Sequence, residues 1–297
     1  MRLALLALCL LGGVSGAHGQ SPVWAIHGAH NTVYLAESVH LLKADQAALP
    51  APFERAYADA TTIVMEIDLS RIDAAQIQSW TQAHAMLPQG TTLEQSVGPA
   101  IFQRAADAAQ HVGMSIEMLQ TFAPWMVALT LADLEYLKLG YDPQEGVEEQ
   151  IERRAARDGK PILGLETLDQ QLGQLVRLSP DEQSRFLDLT VEEMKDAESD
   201  TDELVAAWRA GDNAKLASLL SSEYQTFPEL YAALVTERNR NWLPQIRGFL
   251  SEDHNYLVVV GALHLVGTGG LIDLARQSGL VVTPVLAPAR VSSAAPY

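Results

Sequence analysis

The chain has 297 residues, 48% of them hydrophobic and 19% charged, a balance that suits a globular protein with one large core or two smaller ones. Its formal charge of -17 repels nucleic acid and anionic lipid and excludes both as partners. The same charge favours solubility and attracts cations or basic peptides.

In chain order, Arg2 followed by the apolar stretch Leu3 to Val14 and the small residues Ser15-Gly16-Ala17 reads as a secretory signal peptide over residues 1–19. The single cysteine, Cys9, falls inside it. The processed chain then has no disulfide, cysteine ligand or cysteine nucleophile. Export without disulfides points to a bacterial periplasm or exterior. No later apolar run reaches the ~20 residues of a membrane-spanning helix, so no span is expected after signal cleavage.

Val23-Trp24-Ala25-Ile26 and Thr32 to Ser38 flank His27-Gly28-Ala29-His30-Asn31 and read as a β-hairpin. Ala51 to Ala60 reads as a short helix. Thr61 to Asp68 is β-branched and apolar, a buried strand. From about Ala74 to Leu139 the pattern is helical, with Thr91 and Glu94 as a capping box. Val147 to Asp158 is a charged helix ending at Gly159. The helical stretch 74–158 is expected as an insertion or lid over the sheet. Pro161 to Leu165 is a short strand closed by Glu166, and helices follow over Thr167–Leu178, Glu182–Asp196, Asp202–Ala210, Asn213–Ser221 and Glu229–Leu250. Asp196 to Asp202 reads as a solvated acidic loop. Tyr256 to Val260 is a strand, Leu271 to Gln277 a helix, and Leu280 to Val285 the last strand. The tail from Ala287 to Tyr297 reads as disordered. Together these elements predict an α/β fold, a central mostly parallel or mixed sheet with many flanking helices, as one domain over residues 20–286.

Two apolar runs end alike. Thr32 to Ser38 leads to His40, and Tyr256 to Val260 leads to His264. Two imidazoles delivered past strand ends predict a shared site at one edge of the sheet, where open α/β sheets bind ligands. Histidine is a common metal ligand and acid or base. Glu66 falls where the pattern predicts burial, so it needs a partner. That partner is a salt bridge, with Arg55 or Arg238, or a metal ion, and the carboxylate also suits a general base. Two histidines with one or two carboxylates, Glu66 and Glu166, suit Zn²⁺, Mn²⁺, Co²⁺ or Fe²⁺. His27, His30, His84, His111 and His254 lie in turns or polar stretches and read as solvated. The chain lacks a His-Glu-x-x-His helix, and its mature part lacks a Gly-x-Ser-x-Gly elbow. Gly267-Thr268-Gly269-Gly270 matches no nucleotide-binding fingerprint and reads as a tight turn.

Six blocks, in order, resemble the TraB/GumN family of bacterial proteins, relatives of the Tiki proteases. They are Thr32 to Leu42, with His40 in a first Gly-x-x-His-like motif, and Ile63 to Asp68 around Glu66. Pro124-Trp125 follows, then Gly159 to Thr167 with Glu166 and Gln171, then Arg238-Asn239, and last Val260 to Gly267, a second Gly-x-x-His motif with His264. The resemblance spans about Trp24 to Val285. It implies an α/β fold related to erythromycin-esterase and ChaN-like proteins and, for the Tiki branch, metal-dependent peptide hydrolysis. Carried over, it makes His40, Glu66 and His264 the ligands of a divalent cation (Mn, Co or Zn), with Glu166 and Arg238 in support. Glu37 departs from the pattern, since it stands where the first motif has glycine.

The expected function is therefore a periplasmic or secreted metal-dependent hydrolase acting on a peptide or protein substrate. In it Glu66 and Glu166 serve as carboxylates of the site, Glu166 accepts the water proton, and Arg238 stabilises the oxyanion or holds a carboxylate. The alternatives are a non-catalytic binding protein on the same scaffold and an esterase-like hydrolase using histidine without metal.

Overall fold

The computed structural model describes residues 21–224 and 227–286. The expected signal peptide at 1–19, Cys9 and the tail at 287–297 lie outside the described residues.

Strands β1 (Val23–His27) and β2 (Thr32–Ser38) form the hairpin that the Gly/Asn cluster signals, with Ala25 opposite Tyr34. Helix α1 (Ala51–Asp59) leads into β3 (Thr62–Met65). Helices α2 (Ala74–His84), α3 (Leu93–His111), α4 (Pro124–Lys138) and α5 (Val147–Asp158) follow before β4 (Ile162–Gly164). Then come α6 (Leu168–Val176), α7 (Pro180–Glu193), α8 (Ala197–Ala210), α9 (Asn213–Tyr224), α10 (Pro228–Tyr231) and α11 (Glu237–Phe249). Strand β5 (Tyr256–Gly261), the single turn α12 (Ala262–Leu265), α13 (Leu271–Gln277) and β6 (Val282–Pro284) complete the chain.

The sheet runs β4-β3-β5-β2-β1-β6. The first four strands are mutually parallel, while β1 pairs antiparallel with both β2 and β6. This is the mixed α/β sheet the alternation of elements predicts. Its central strands β3 and β5 are almost wholly apolar because helices cover both faces. Tyr34, Ala36, Ile63, Met65, Leu257 and Val259 pack on one face with residues of α1, α5 and α8. Val33, Leu35, Val64, Val258 and Val260 pack on the other with residues of α11 and α13. A separate apolar cluster joins α3, α4 and α7.

Three local expectations are corrected. The cap of α3 sits one residue later, at Thr92 with Gln95, because that pair closes the reciprocal bonds of 3.2 and 3.0 Å. The acidic stretch 196–202 is helical, since Asp196 starts α8 and Ala197, Val205 and Trp208 bury its inner face. The long helix expected over Glu229–Leu250 is broken into α10, a π-helical turn at Ala232–Thr236, and α11.

Candidate functional site

The parallel register fixes the site. Ser38 pairs with Gly261, Met65 with Val259, and Gly164 with Met65, so β2, β5, β3 and β4 end at one level. His40, His264, Glu66 and Glu166 follow those ends. All four leave the carboxyl edge of the parallel strands, where such sheets place ligands.

Gly261 is the point that three of them face. A Cβ built there would lie 3.4 Å from Glu66 Oε1, 3.6 Å from His40 Nε2 and 3.7 Å from His264 Cδ2. Three side chains remote in sequence therefore surround one glycine. The backbone amide of Gly261 also donates to Glu66 Oε1 at 2.8 Å. Glu66 Oε2 accepts from Gln171 at 2.9 Å and from Arg238 Nη2 at 2.5 Å. The expected salt-bridge partner of Glu66 is thus Arg238. Burial alone would raise the Glu66 carboxyl, but His264, Arg238 and His40 overcome that and hold it down to about 2, so it is ionised.

Helix α11 supplies three residues on neighbouring positions, Arg238, Asn239 and Trp242. The Asn239 amide nitrogen donates to the carbonyls of His264 and Gly269 at 3.2 and 3.1 Å, which fixes its orientation. Its oxygen must then accept from His264 Nδ1 at 2.8 Å. The hydrogen of His264 is consequently on Nδ1, and Nε2 is a lone pair that accepts from Arg238 Nη1 at 3.0 Å. Burial keeps His264 neutral by lowering its pKa to about 4. Trp242 lies 4.5 Å from its ring and donates to Glu166 at 3.3 Å.

All five N–H hydrogens of Arg238 are committed. Nε and one Nη2 hydrogen serve Glu166, the other Nη2 hydrogen serves Glu66, and Nη1 serves Leu234 O and His264. As seated, Arg238 has no hydrogen left for a substrate oxyanion and acts as the partner of two buried carboxylates. Glu166 is likewise taken, its side chain only 5% exposed and clasped by Arg238 and Trp242. The sequence expectation that Glu166 handles the water proton has no room in this arrangement.

His40 differs from the rest, with 68% of its side chain exposed. Its Nδ1 donates to Glu148 Oε1 at 2.7 Å, and that oxygen also accepts from Ser38 Oγ. The Glu148 charge raises the His40 pKa. The start of α5 is fastened to the same turn, because Val147 N donates to Val39 O at 3.0 Å. A Cβ at Gly146 would sit 2.1 Å from His40 O, so only glycine allows that approach. Glu148 is the residue that sequence reading missed. Its only signal was an acid in the first turn of a helix whose buried stripe is Val147, Ile151 and Ala155.

Whether a divalent ion fits is decided by the donors. A three-ligand site needs lone pairs from His40 Nε2, Glu66 and His264 Nε2 aimed at one point. His264 Nε2 already accepts from Arg238, and the guanidinium charge stands where the ion would approach. Among the described residues no group of three or more His, Cys, Asp or Glu side chains is placed to hold a metal ion. In this arrangement the expected ligand set does not fit an ion.

Glu37 lies apart from the cluster. It is fully buried, and Trp24 Nε1 approaches its Oε1 at 3.5 Å. The glycine turn 267–270 is a plain one, closed by Gly269 N donating to Asp273 at 2.9 Å. A cavity of about 190 Å³ opens on the cluster and is lined by His40, Met65, Glu66, Glu148, Glu152 and Gln171, among others.

A model of the TraB/PrgY/gumN family matches residues 22–284, and the chain belongs to that family. Its curated relatives include proteins of Escherichia coli strain K12 and Shigella flexneri, both called "Uncharacterized protein YbaP". Each is 28% identical over 244 residues, covering 82% of this chain and 87% of the relative. No solved structure matches the chain. Among the described residues no helix is long and apolar enough to cross a membrane.

Proposed function

We propose that this member of the TraB/PrgY/gumN family is a hydrolase that adds water to a carbonyl group, with peptides as its substrates. The single observation behind the reading is that His40 Nε2 and Glu66 Oε1 face the same glycine while Glu148 stands behind His40. His40 is neutral above its raised pKa of about 9, and there its bond to Glu148 puts the hydrogen on Nδ1 and leaves Nε2 a lone pair. Nε2 removes a proton from a water held against Glu66, and the oxygen attacks the carbonyl carbon. The imidazolium, steadied by Glu148, then returns the proton to the leaving amine as the C–N bond breaks. Arg238 keeps Glu66 ionised and in place. The choice of peptides is supported by the resemblance to a family related to the Tiki proteases and by the chain's negative charge. The reading of residues 1–19 as a signal peptide supports a periplasmic or secreted setting.

A divalent cation (Mn, Co or Zn) held by His40, Glu66 and His264 is a second reading. One observation favours it: a histidine whose Nδ1 is bound by a carboxylate is the usual arrangement of a metal-ligating imidazole. It would require Arg238 to release His264, and an ion held by those three residues would supply a Lewis acid.

A peptide-library digest, run with and without chelator, separates these readings. Cleavage that survives chelation and is lost in His40→Ala and Glu66→Gln supports the first. Cleavage that needs added Mn²⁺, Co²⁺ or Zn²⁺ transfers the chemistry to the ion. Peptides bound and released uncut would make the chain a binding protein.

A further inference from the structure

Three carboxylates line the small cavity, Glu66, Glu148 and Glu152, and the first two have a cation. Glu66 and Glu166 share Arg238, at 2.5 and 2.6 Å. Glu148 holds His40 at 2.7 Å, Asp68 holds Arg71 at 2.8 Å, and Glu149 holds Arg153 at 3.6 Å. Glu152 is the exception on the cavity wall. It is half-buried, lines the cavity beside His40 and Glu66, and no hydrogen bond or ion pair reaches its carboxylate among the described residues. Burial and, after it, the charges of Glu149 and Asp68 raise its pKa. Glu152 lies one helical turn beyond Glu148, so the two acids share a face of α5. A half-buried carboxylate among like charges is unfavourable in the empty protein and becomes favourable when a cation arrives.

We propose that Glu152 selects substrates that carry a positive charge, a lysine or arginine side chain flanking the bond presented to His40 and Glu66. This rests on the hydrolase reading for the identity of the bond but not for the preference itself. The cavity mouth then reads as one reacting pair, His40 and Glu66, beside one charge-selecting acid. The net charge of -17 favours the same class of substrate from a distance, without choosing a position on it.

The experiment uses fluorescent-labelled peptides that differ at one residue, lysine or glutamate, and measures their binding to the purified protein at low ionic strength. The wild type is expected to bind the lysine peptide roughly tenfold more tightly. Glu152→Gln should remove most of that preference and Glu152→Lys should invert it. The exposed Glu94→Gln, far along the chain on α3, carries the same loss of charge and should leave the preference intact. Equal affinity of the wild type for both peptides overturns the proposal. So does a preference that survives Glu152→Gln, or one that Glu94→Gln reduces as much. If the preference holds and no peptide is ever cut, the hydrolase reading fails and the role of Glu152 stands.

Discussion

Arg238 Nη1 donates to His264 Nε2 across 3.0 Å, and this contact decides what the site can do as it stands. It spends the lone pair of one motif histidine on a structural bond. It leaves His40, the other motif histidine, as the imidazole with a free reactive edge. The two histidines look equivalent in sequence and are unlike in the fold, one sealed and neutral, the other exposed and paired with Glu148.

Removing Arg238 should be costly. Its side chain is 8% exposed, and those of its partners Glu66 and Glu166 are 9% and 5% exposed. Breaking a buried ion pair by deleting one member typically costs about 3–5 kcal/mol, because the other charge is left buried and unpaired. Arg238→Ala should therefore lower the urea midpoint severely. Arg238→Lys should recover only part of the loss, since one ammonium cannot reproduce a five-hydrogen fork. A wild-type midpoint for Arg238→Ala would show that the carboxylates do not depend on the guanidinium.

Gly261→Ala tests the convergence of the three side chains. The added methyl would sit at ordinary contact distance, 3.4 to 3.7 Å, from Glu66, His40 and His264, and the local φ of -50° suits alanine. Stability should change by no more than about 1 kcal/mol. Hydrolysis should fall on the order of 100-fold, because the methyl fills the space a reacting group must enter. Full activity in a normally folded Gly261→Ala would mean that chemistry takes place elsewhere.

Glu148→Gln should leave peptide binding nearly unchanged and lower kcat on the order of 100-fold, since glutamine still accepts from His40 Nδ1 but no longer supports an imidazolium. A variant that loses affinity and keeps kcat would assign Glu148 to substrate contact. The split between kcat and KM is the measurement.

Much of this was legible in the residues. The apolar runs Thr32 to Ser38, Thr61 to Asp68, Pro161 to Leu165 and Tyr256 to Val260 marked strands, although β3 stops at Met65, and His40, Glu66, Glu166 and His264 do gather at one edge. A buried Glu66 demanded a partner, and Arg238 was one of two named. What sequence could not supply was the commitment of each hydrogen. Whether Arg238 had a donor to spare depended on Leu234 O and His264 Nε2, which the α11 geometry alone brings within reach. Glu148 was hidden for a different reason. An acid in the first turn of a charged helix looks solvated until Gly146 lets the turn press against the backbone of His40.

Glu37 gives the last prediction. It stands on β2, its side chain fully buried near Trp24, with Oε2 lacking any hydrogen-bond partner. Burial pushes its carboxyl from the ordinary 4.5 up to about 8. The folded protein therefore keeps this proton through a range in which the unfolded chain has released it. Stability must then fall as pH rises from about 4.5 to about 8 and level off above, losing about 1.4 kcal/mol per unit from this group. Glu37→Gln has no proton to lose. Its advantage over the wild type should be smallest near pH 5 and grow toward pH 8, which paired urea titrations at each pH would read while cancelling every other group. Parallel curves for the two proteins would mean that the carboxyl ionises freely in place, and that its surroundings are wetter than the packing around Trp24 indicates.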